Sequence, residues 1–337
     1  MKIASLFAGC GGLDLGLKNA GHELVYAHDI DKDCVDTYRN YFGDHIVHGD
    51  IKELYGESLP KIDLVTGGFP CQGFSIANIH RSKEDERNEL YIHLCRIIRE
   101  ALPTFFLAEN VPGILNLAGG EVAKIIDAEF ESIGKNQGHP GYDVKRTLLN
   151  AVNYNVPQNR KRVLWIGISN EVEEEKRELF WDNFPPPKQR GVEPGYEKLL
   201  TIKDAIDDLP EPSAKGAEVI LNHDYTKHKV KINGYMGNRK MPWDKPSPTI
   251  VGRGGGTGGP VIPVHPNEHR RLSVRETARI QTFPDDFEFF GSVSSQYRQI
   301  GNAVAVNFAK ALGKVFKKFE DGKLKSNMNH QLQINYN

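Results

Sequence analysis

Short β-rich runs alternate with helical patterns through the first third of the chain, and strands separated by helices pair in parallel, so this alternation restricts the fold more than any other feature. Ile3 to Phe7 forms a first strand; Gly9, Gly11 and Gly12 make a tight turn; Leu13, Leu15, Leu17 and Ala20 begin a helix that Gly21 ends. A second strand, Leu24 to His28, runs into Asp29 and Asp31, and a helix through Val35 and Tyr38 follows. Further strands are expected at His45 to Val47, Ile62 to Thr66, Phe105 to Ala108 and Arg162 to Ile168, with helices at Leu90 to Ala101 and Glu121 to Ser132. Five or more such strands give an open α/β fold, a doubly wound and mostly parallel sheet.

The texture changes near Asn170. An acidic helical run, Glu171 to Glu178, leads to Pro185, Pro186 and Pro187 and then to irregular polar sequence, which reads as a domain boundary. The stretch to Pro266 carries Gly252, Gly254, Gly255, Gly256, Gly258 and Gly259 with little periodicity, the pattern of a loop-rich binding surface. Helical periodicity returns at Val274 to Gln281 and Ala303 to Phe316, and the tail after Glu320 is polar.

Composition narrows the class. With 39% hydrophobic and 26% charged residues over 337 positions, the chain can bury a core as a soluble protein. No apolar run approaches the roughly 20 residues of a membrane span, and the strand-like opening, Lys2 to Phe7, does not read as a signal peptide. Four cysteines without a C-x-x-C pair argue against a disulfide framework or a zinc site and fit a reducing cytoplasm. A net charge of -1 means that any polyanion partner must be held by local basic patches.

Two segments carry chemistry. A glycine turn after the first strand (Phe7, Ala8, Gly9, Cys10, Gly11, Gly12), with an acid ending the second, describes a nucleoside site: backbone approaches the ligand and Asp29 or Asp31 accepts from ribose hydroxyls. Asp50, after the third strand, adds a group that can read an adenine amino group. The second segment, Gly67-Gly68-Phe69-Pro70-Cys71-Gln72-Gly73-Phe74-Ser75, places a cysteine in a rigid turn at a strand's carboxyl end, where open sheets bind ligands.

That segment resembles the Pro-Cys-Gln motif of DNA cytosine-5 methyltransferases, the enzymes of bacterial restriction-modification systems. Other motifs match in family order: Phe7 to Gly12 resembles the S-adenosylmethionine loop, Glu109-Asn110-Val111 the Glu-Asn-Val motif, and Gln158 to Val163 the Gln-x-Arg-x-Arg motif. Arg270 to Glu276 and Gln299 to Val304 resemble the two C-terminal motifs. The resemblance runs from Ile3 to Leu312, with Asn170 to Thr249 lacking a clear counterpart.

The resemblance implies a Rossmann-like S-adenosylmethionine-dependent catalytic domain, discontinuous over 1–180 and 296–325, a smaller target-recognition domain over 181–295, and a flexible tail over 326–337. Cys71 is then the nucleophile that adds to cytosine C6, making C5 an enamine carbon, and Glu109 the acid at N3. Arg160 and Arg162 are expected to hold the base's O2 and the Cys71 loop and to lower the thiol's pKa. Cofactor contacts are expected from Phe7, Ala8, Gly9, Gly11, Gly12, Asp29, Ile30, Asp50, Ile51, Pro70, Leu90, Asn302 and Ala303. S-adenosylhomocysteine is the product, and no metal is called for.

The substrate implied is double-stranded DNA with its target base flipped from the stack. Gln72, Ser75, Arg81 and Arg87 belong to a loop expected to close on it, while Thr249, Ile250 and Arg253 resemble the recognition core. One active site and one recognition domain per chain make a monomer sufficient, and the resemblance implies work in the cytoplasm beside a cognate endonuclease. Departures from the family pattern are Asp29 where Glu is usual, Arg87-Asn88 where Arg-Gly is common, and Ala305 for a common Pro. Two rivals remain at this stage: RNA methylation by the same fold, whose Cys-Phe-Thr motif is not found here, and a non-catalytic cofactor-dependent DNA binder, which has no need of Cys71 or Glu109. Amino-group methyltransferases carry a different motif in place of Phe69-Pro70-Cys71-Gln72.

Overall fold

A computed structural model describes residues 1–70, 89–227, 229–230, 232–234, 238–239, 241–252 and 261–326. In chain order the first half contains β1 (Lys2–Leu6), α1 (Gly12–Asn19), β2 (Glu23–Asp29), α2 (Lys32–Phe42), β3 (Ile46–His48) and β4 (Leu64–Gly67). It continues with α3 (Glu89–Ala101), β5 (Phe105–Asn110), α4 (Glu121–Ser132), β6 (Tyr142–Asn150) and β7 (Lys161–Ser169). The strands form one seven-stranded sheet in the order β3-β2-β1-β4-β5-β7-β6. The strands β1 to β5 pair in parallel, while β7 runs antiparallel to both β5 and β6.

This order has a functional consequence. From β1 the chain steps outward to β2 and β3, then returns to place β4 on β1's other side, so Ser5 lies between Ala27 and Thr66. The connections therefore diverge between β1 and β4, and an open sheet offers a crevice at that point beyond its carboxyl ends. The turns after β1, β2, β3, β4 and β5 all emerge along this edge.

Sequence periodicity missed β6. It is an edge strand whose residues are mostly half-buried or exposed, so Lys145, Arg146 and Thr147 dilute the apolar signal. By contrast, every residue of β5 is buried and all of β7 after Lys161 is buried, which makes both legible as apolar runs.

The second half contains α5 (Glu174–Asn183), α6 (Ile202–Ile206), α7 (Val274–Ile280), α8 (Val293–Asn302) and α9 (Val306–Glu320). The acidic run thus becomes helix later than expected, at Glu174, and extends to bury Phe180. The last helix starts at Val306 rather than Ala303, because Ala303 and Ala305 are extended. That short extended link between α8 and α9 belongs to the site described below.

One sheet face is covered by α1, α5 and α9, where Leu17, Phe180, Phe308, Leu312 and Phe316 pack on Ile3, Phe105, Leu107 and Ile166. The other face is covered by α3 and α4, with Leu94, Ile98, Ile126 and Phe130 on Val65, Phe106 and Trp165. A third cluster joins Cys10 and Leu15 of the first glycine turn and α1 to Val274, Phe283, Tyr297 and Ile300. The loop-rich part has its own small core of Ile202, Ile206, Met241, Ile250, Leu272 and Ile280. Glycine permits the α1–α9 approach: a Cβ on Gly313 would sit 2.7 Å from the Ala20 Cβ.

Candidate active site at the carboxyl edge of the sheet

The first wall of the crevice is the turn after β1. Phe7, Gly9 and Gly11 have positive φ, and Asp29 at the end of β2 holds the turn by accepting from the Gly9 N–H at 2.7 Å and the Asp31 N–H at 2.8 Å. Burial raises the Asp29 carboxyl above the usual Asp range, and those backbone donors draw it back. Asp31 caps α2 through the Asp33 and Cys34 N–H groups and pairs with Arg298 at 2.9 Å. Both acids proposed for the ribose therefore also have structural contacts, Asp29 in the glycine turn and Asp31 at the start of α2.

The space in front suits a nucleoside. A Cβ on Gly9 would meet no atom within 4 Å, so the backbone there is open to a ligand. Ile30 is 67% exposed beside it, an apolar platform of the kind a purine face covers, and Asp50 begins the turn after β3. Ile51 instead packs inward, at 4% exposure. On the far side a Cβ on Gly12 would sit 3.0 Å from the Ala303 Cβ, which sets the link between α8 and α9 directly against the glycine turn. Leu90 lies half-buried in the first turn of α3.

Beneath this wall lies Asp14, fully buried beside the Ser5 and Tyr38 hydroxyls. Burial lifts its carboxyl to about 6, and the neighbouring Ser5 and Tyr38 hydroxyls draw it back only partly.

The second wall comes from β4, β5 and β7. Gly67 and Gly68 lead out of β4 to Phe69 and Pro70, and Asn110 at the end of β5 donates to the Phe69 carbonyl at 2.9 Å while accepting from the Val111 N–H. One residue earlier, Glu109 is 8% exposed and pairs through Oε1 with Arg162 Nε at 2.6 Å. Its other oxygen faces Gly68, where an added Cβ would lie 3.3 Å from Oε2. A carboxylate, its guanidinium and the strand leading to Pro70 thus converge at one point.

The two arginines of the Gln-x-Arg-x-Arg segment part company. Arg162 turns to Glu109, whereas Arg160, 1% exposed, donates to the carbonyls of Ile250 (2.7 Å), Gly301 (2.9 Å) and Ala303 (2.7 Å). Burial and neighbouring Arg162 push its guanidinium well below its ordinary pKa, and Glu109 opposes them. The Arg160 guanidinium thus ties three backbone carbonyls from two distant segments together. Gln158 adds to the seam by accepting the Ile250 N–H at 3.0 Å, and Thr249 donates its hydroxyl to Asn159 O at 2.5 Å. The Ile250 side chain, 2% exposed, belongs to the small core.

Cys71, Gln72, Ser75, Arg81, Arg87 and Arg253 lie outside the described residues, as does the tail from 327. The described thiols, Cys10, Cys34 and Cys95, are buried, and burial pushes each of them up, against thiolate formation. Among the described residues no cluster of His, Cys, Asp and Glu could hold a metal ion, and no helix is long and apolar enough to cross a membrane.

A glycine cradle for a nucleoside and an acid–arginine pair share the switch-point edge of a seven-stranded sheet. The family model described as C-5 cytosine-specific DNA methylase matches residues 1–318. The chain belongs to this family. It is a DNA cytosine-5 methyltransferase with the Rossmann-like fold of the S-adenosylmethionine-dependent enzymes. The methylase is 35% identical to the Type II methyltransferase M.FnuDI of Fusobacterium nucleatum, over 94% of each chain. It is 36% identical to M.MthTI of Methanothermobacter thermautotrophicus, over 96% of this chain and 99% of that one. Among solved structures, a prophage-encoded DNA modification methyltransferase from E. coli matches with a TM-score of 0.71 and 26% identity, over 95% and 99% of the two chains.

Some residues of the methylase's site were not singled out from sequence for what they do. Asn110 stood within a motif without a role, Gln158 likewise, and Gly252 was one glycine among many; only contacts between distant segments give them functions.

Proposed function

We propose that the enzyme methylates C5 of one cytosine in a short duplex sequence, through a covalent adduct, as the modification partner of a Type II restriction-modification system. The observation that carries this reading is the pairing of Glu109 with Arg162 directly behind Gly68, on the strand that leads through Pro70 to Cys71.

The residues fit S-adenosylmethionine. The open backbone at Gly9, exposed Ile30, Asp29, Asp50 and the Asn302–Ala303 link would hold it. When bound, it supplies the electrophilic methyl that an activated C5 accepts, and it leaves as S-adenosylhomocysteine. The chain's own residues do the activation. The Cys71 thiolate adds to C6, and Glu109 gives a proton to N3, so the electron pair gathers at C5. Arg162 orients Glu109 and reaches toward O2. After transfer the C5 proton leaves to a solvent base, N3 returns its proton to the Glu109 carboxylate, the C5–C6 double bond reforms, and Cys71 departs as the thiolate.

A base within a duplex cannot reach this recess, so the cytosine leaves the stack. Gln72, Ser75, Arg81 and Arg87 would close on it and its phosphates, with Thr249 and Arg253 in the major groove. One such site per chain makes a monomer sufficient, and a cognate endonuclease would meet the same sequence in the cytoplasm without a stable complex. Support for the modification role comes from relatives of near-equal length that are Type II methyltransferases.

The test is methyl transfer from labelled S-adenosylmethionine to unmethylated duplex DNA and to transfer RNA, with wild type and Cys71→Ala side by side. Label at C5 of one short motif, falling at least a thousandfold (roughly) in the variant, is the expected result. Label confined to RNA, or undiminished in Cys71→Ala, overturns the proposal.

A further inference from the structure

The seam around Arg160 joins two segments that the reaction uses separately. On one side is Thr249–Gly252, the piece proposed to meet DNA; on the other is Gly301–Ala303, which packs on the cofactor's glycine turn. Their backbones touch: a Cβ on Gly252 would lie 2.8 Å from the Arg298 carbonyl and would collide with Asn302 Oδ1, and one on Gly301 would collide with the Gly252 N. Arg160 then binds the carbonyls of Ile250, Gly301 and Ala303 with one planar group. Gln281, wholly buried, donates to Ile300 O at 3.0 Å from behind.

We infer that Arg160 is a positioning residue that couples DNA to cofactor: a shift of Thr249–Gly252 on a duplex is transmitted through its three shared carbonyls to the Asn302–Ala303 link. At 1% exposure, no water stands ready to replace a lost bond, so the two segments move together or a buried charge loses its partners. The coupling is reciprocal, because binding linkage is symmetric. It rests on the function proposed above.

The experiment measures binding of S-adenosylhomocysteine to the full chain with and without a duplex carrying the mapped site, and of the duplex with and without S-adenosylhomocysteine. In wild type each ligand tightens the other by the same factor, between about 5-fold and 150-fold. Arg160→Lys keeps the charge but loses the planar three-carbonyl geometry, and the factor falls below about 2. Gly252→Ala, which disturbs the seam from the DNA side, lowers it as well and decides the matter if Arg160→Lys fails to fold. A wild type that methylates duplex DNA without coupling overturns this inference and spares the function; one that transfers no methyl to DNA overturns both. Variants that melt earlier while keeping the wild-type factor reduce Arg160 to a fold pin and also overturn it.

Discussion

The two halves of this methylase satisfy their backbones differently. In the sheet, carbonyls and N–H groups pair along ladders, such as the one that sets Glu109 opposite Leu164 and Asn110 opposite Val163. In the loop-rich half, buried and half-buried arginines share that role. Arg275, 0% exposed, donates to the carbonyls of Leu221, Pro284 and Phe287. Arg271 holds Ile262 O, and Arg270 forms two 2.7 Å bonds to Glu276, whose carboxylate also accepts the Ser273 N–H in a capping box. A guanidinium has five donors in one plane, so it can fix several loops where no strand runs. Irregular backbone can thus be held firmly, with arginine geometry replacing register.

Four changes test that contrast, in descending order of effect. In the sheet half, Glu109→Gln should lower kcat by about 10²- to 10⁴-fold with S-adenosylhomocysteine affinity unchanged, as single-turnover rates and calorimetry would show. Altered cofactor affinity would mean that Glu109 also builds the cofactor wall. In the loop half, Arg270→Ala leaves Glu276 buried without its main partner and should cost about 3–5 kcal/mol in denaturant unfolding. A loss below about 1 kcal/mol would end the claim that arginines replace secondary structure there.

The halves should also respond to pH with opposite sign. Because burial raises Asp14 to about 6, the stability linked to its proton is present below the unfolded value near 4 and is lost as pH rises through 6. Asp14→Asn should therefore stabilise the protein at pH 8 by up to about 3 kcal/mol, with no gain near pH 4, in melting curves across that range. His265, in the loop half, is lowered to about 4, by burial first, so its contribution is present above about 6.5 and is lost as pH falls through 4. The smallest effect belongs to Thr201→Ala, which removes the cap that accepts the Asp204 N–H at 3.3 Å and should cost about 1 kcal/mol in thermal melts.

Legibility followed burial rather than that division. The buried strands β1, β4, β5 and β7 could be read because a strand covered on both faces is a continuous apolar run. The edge strand β6 and the helix α8 could not: β6 is half polar, and α8 buries Tyr297 and Ile300 against residues far away in sequence. The three-residue link from Ala303 to Ala305 sits inside an apolar stretch that reads as helix, and its extended form is fixed by contacts with Gly12 and Arg160.

What the sequence determined by itself was the order of motifs and the chemistry each residue type can perform, because glycine turns, strand-ending acids and a Pro-Cys turn have local physical meanings. It could not assign partners. That Arg162 meets Glu109 while Arg160, two positions away, points into a seam with residues 250, 301 and 303 was decided by the tertiary structure. Arg160 lies just before β7, which begins at Lys161, so strand alternation does not hold it to the face of Arg162, and what each meets comes from segments up to 143 positions distant.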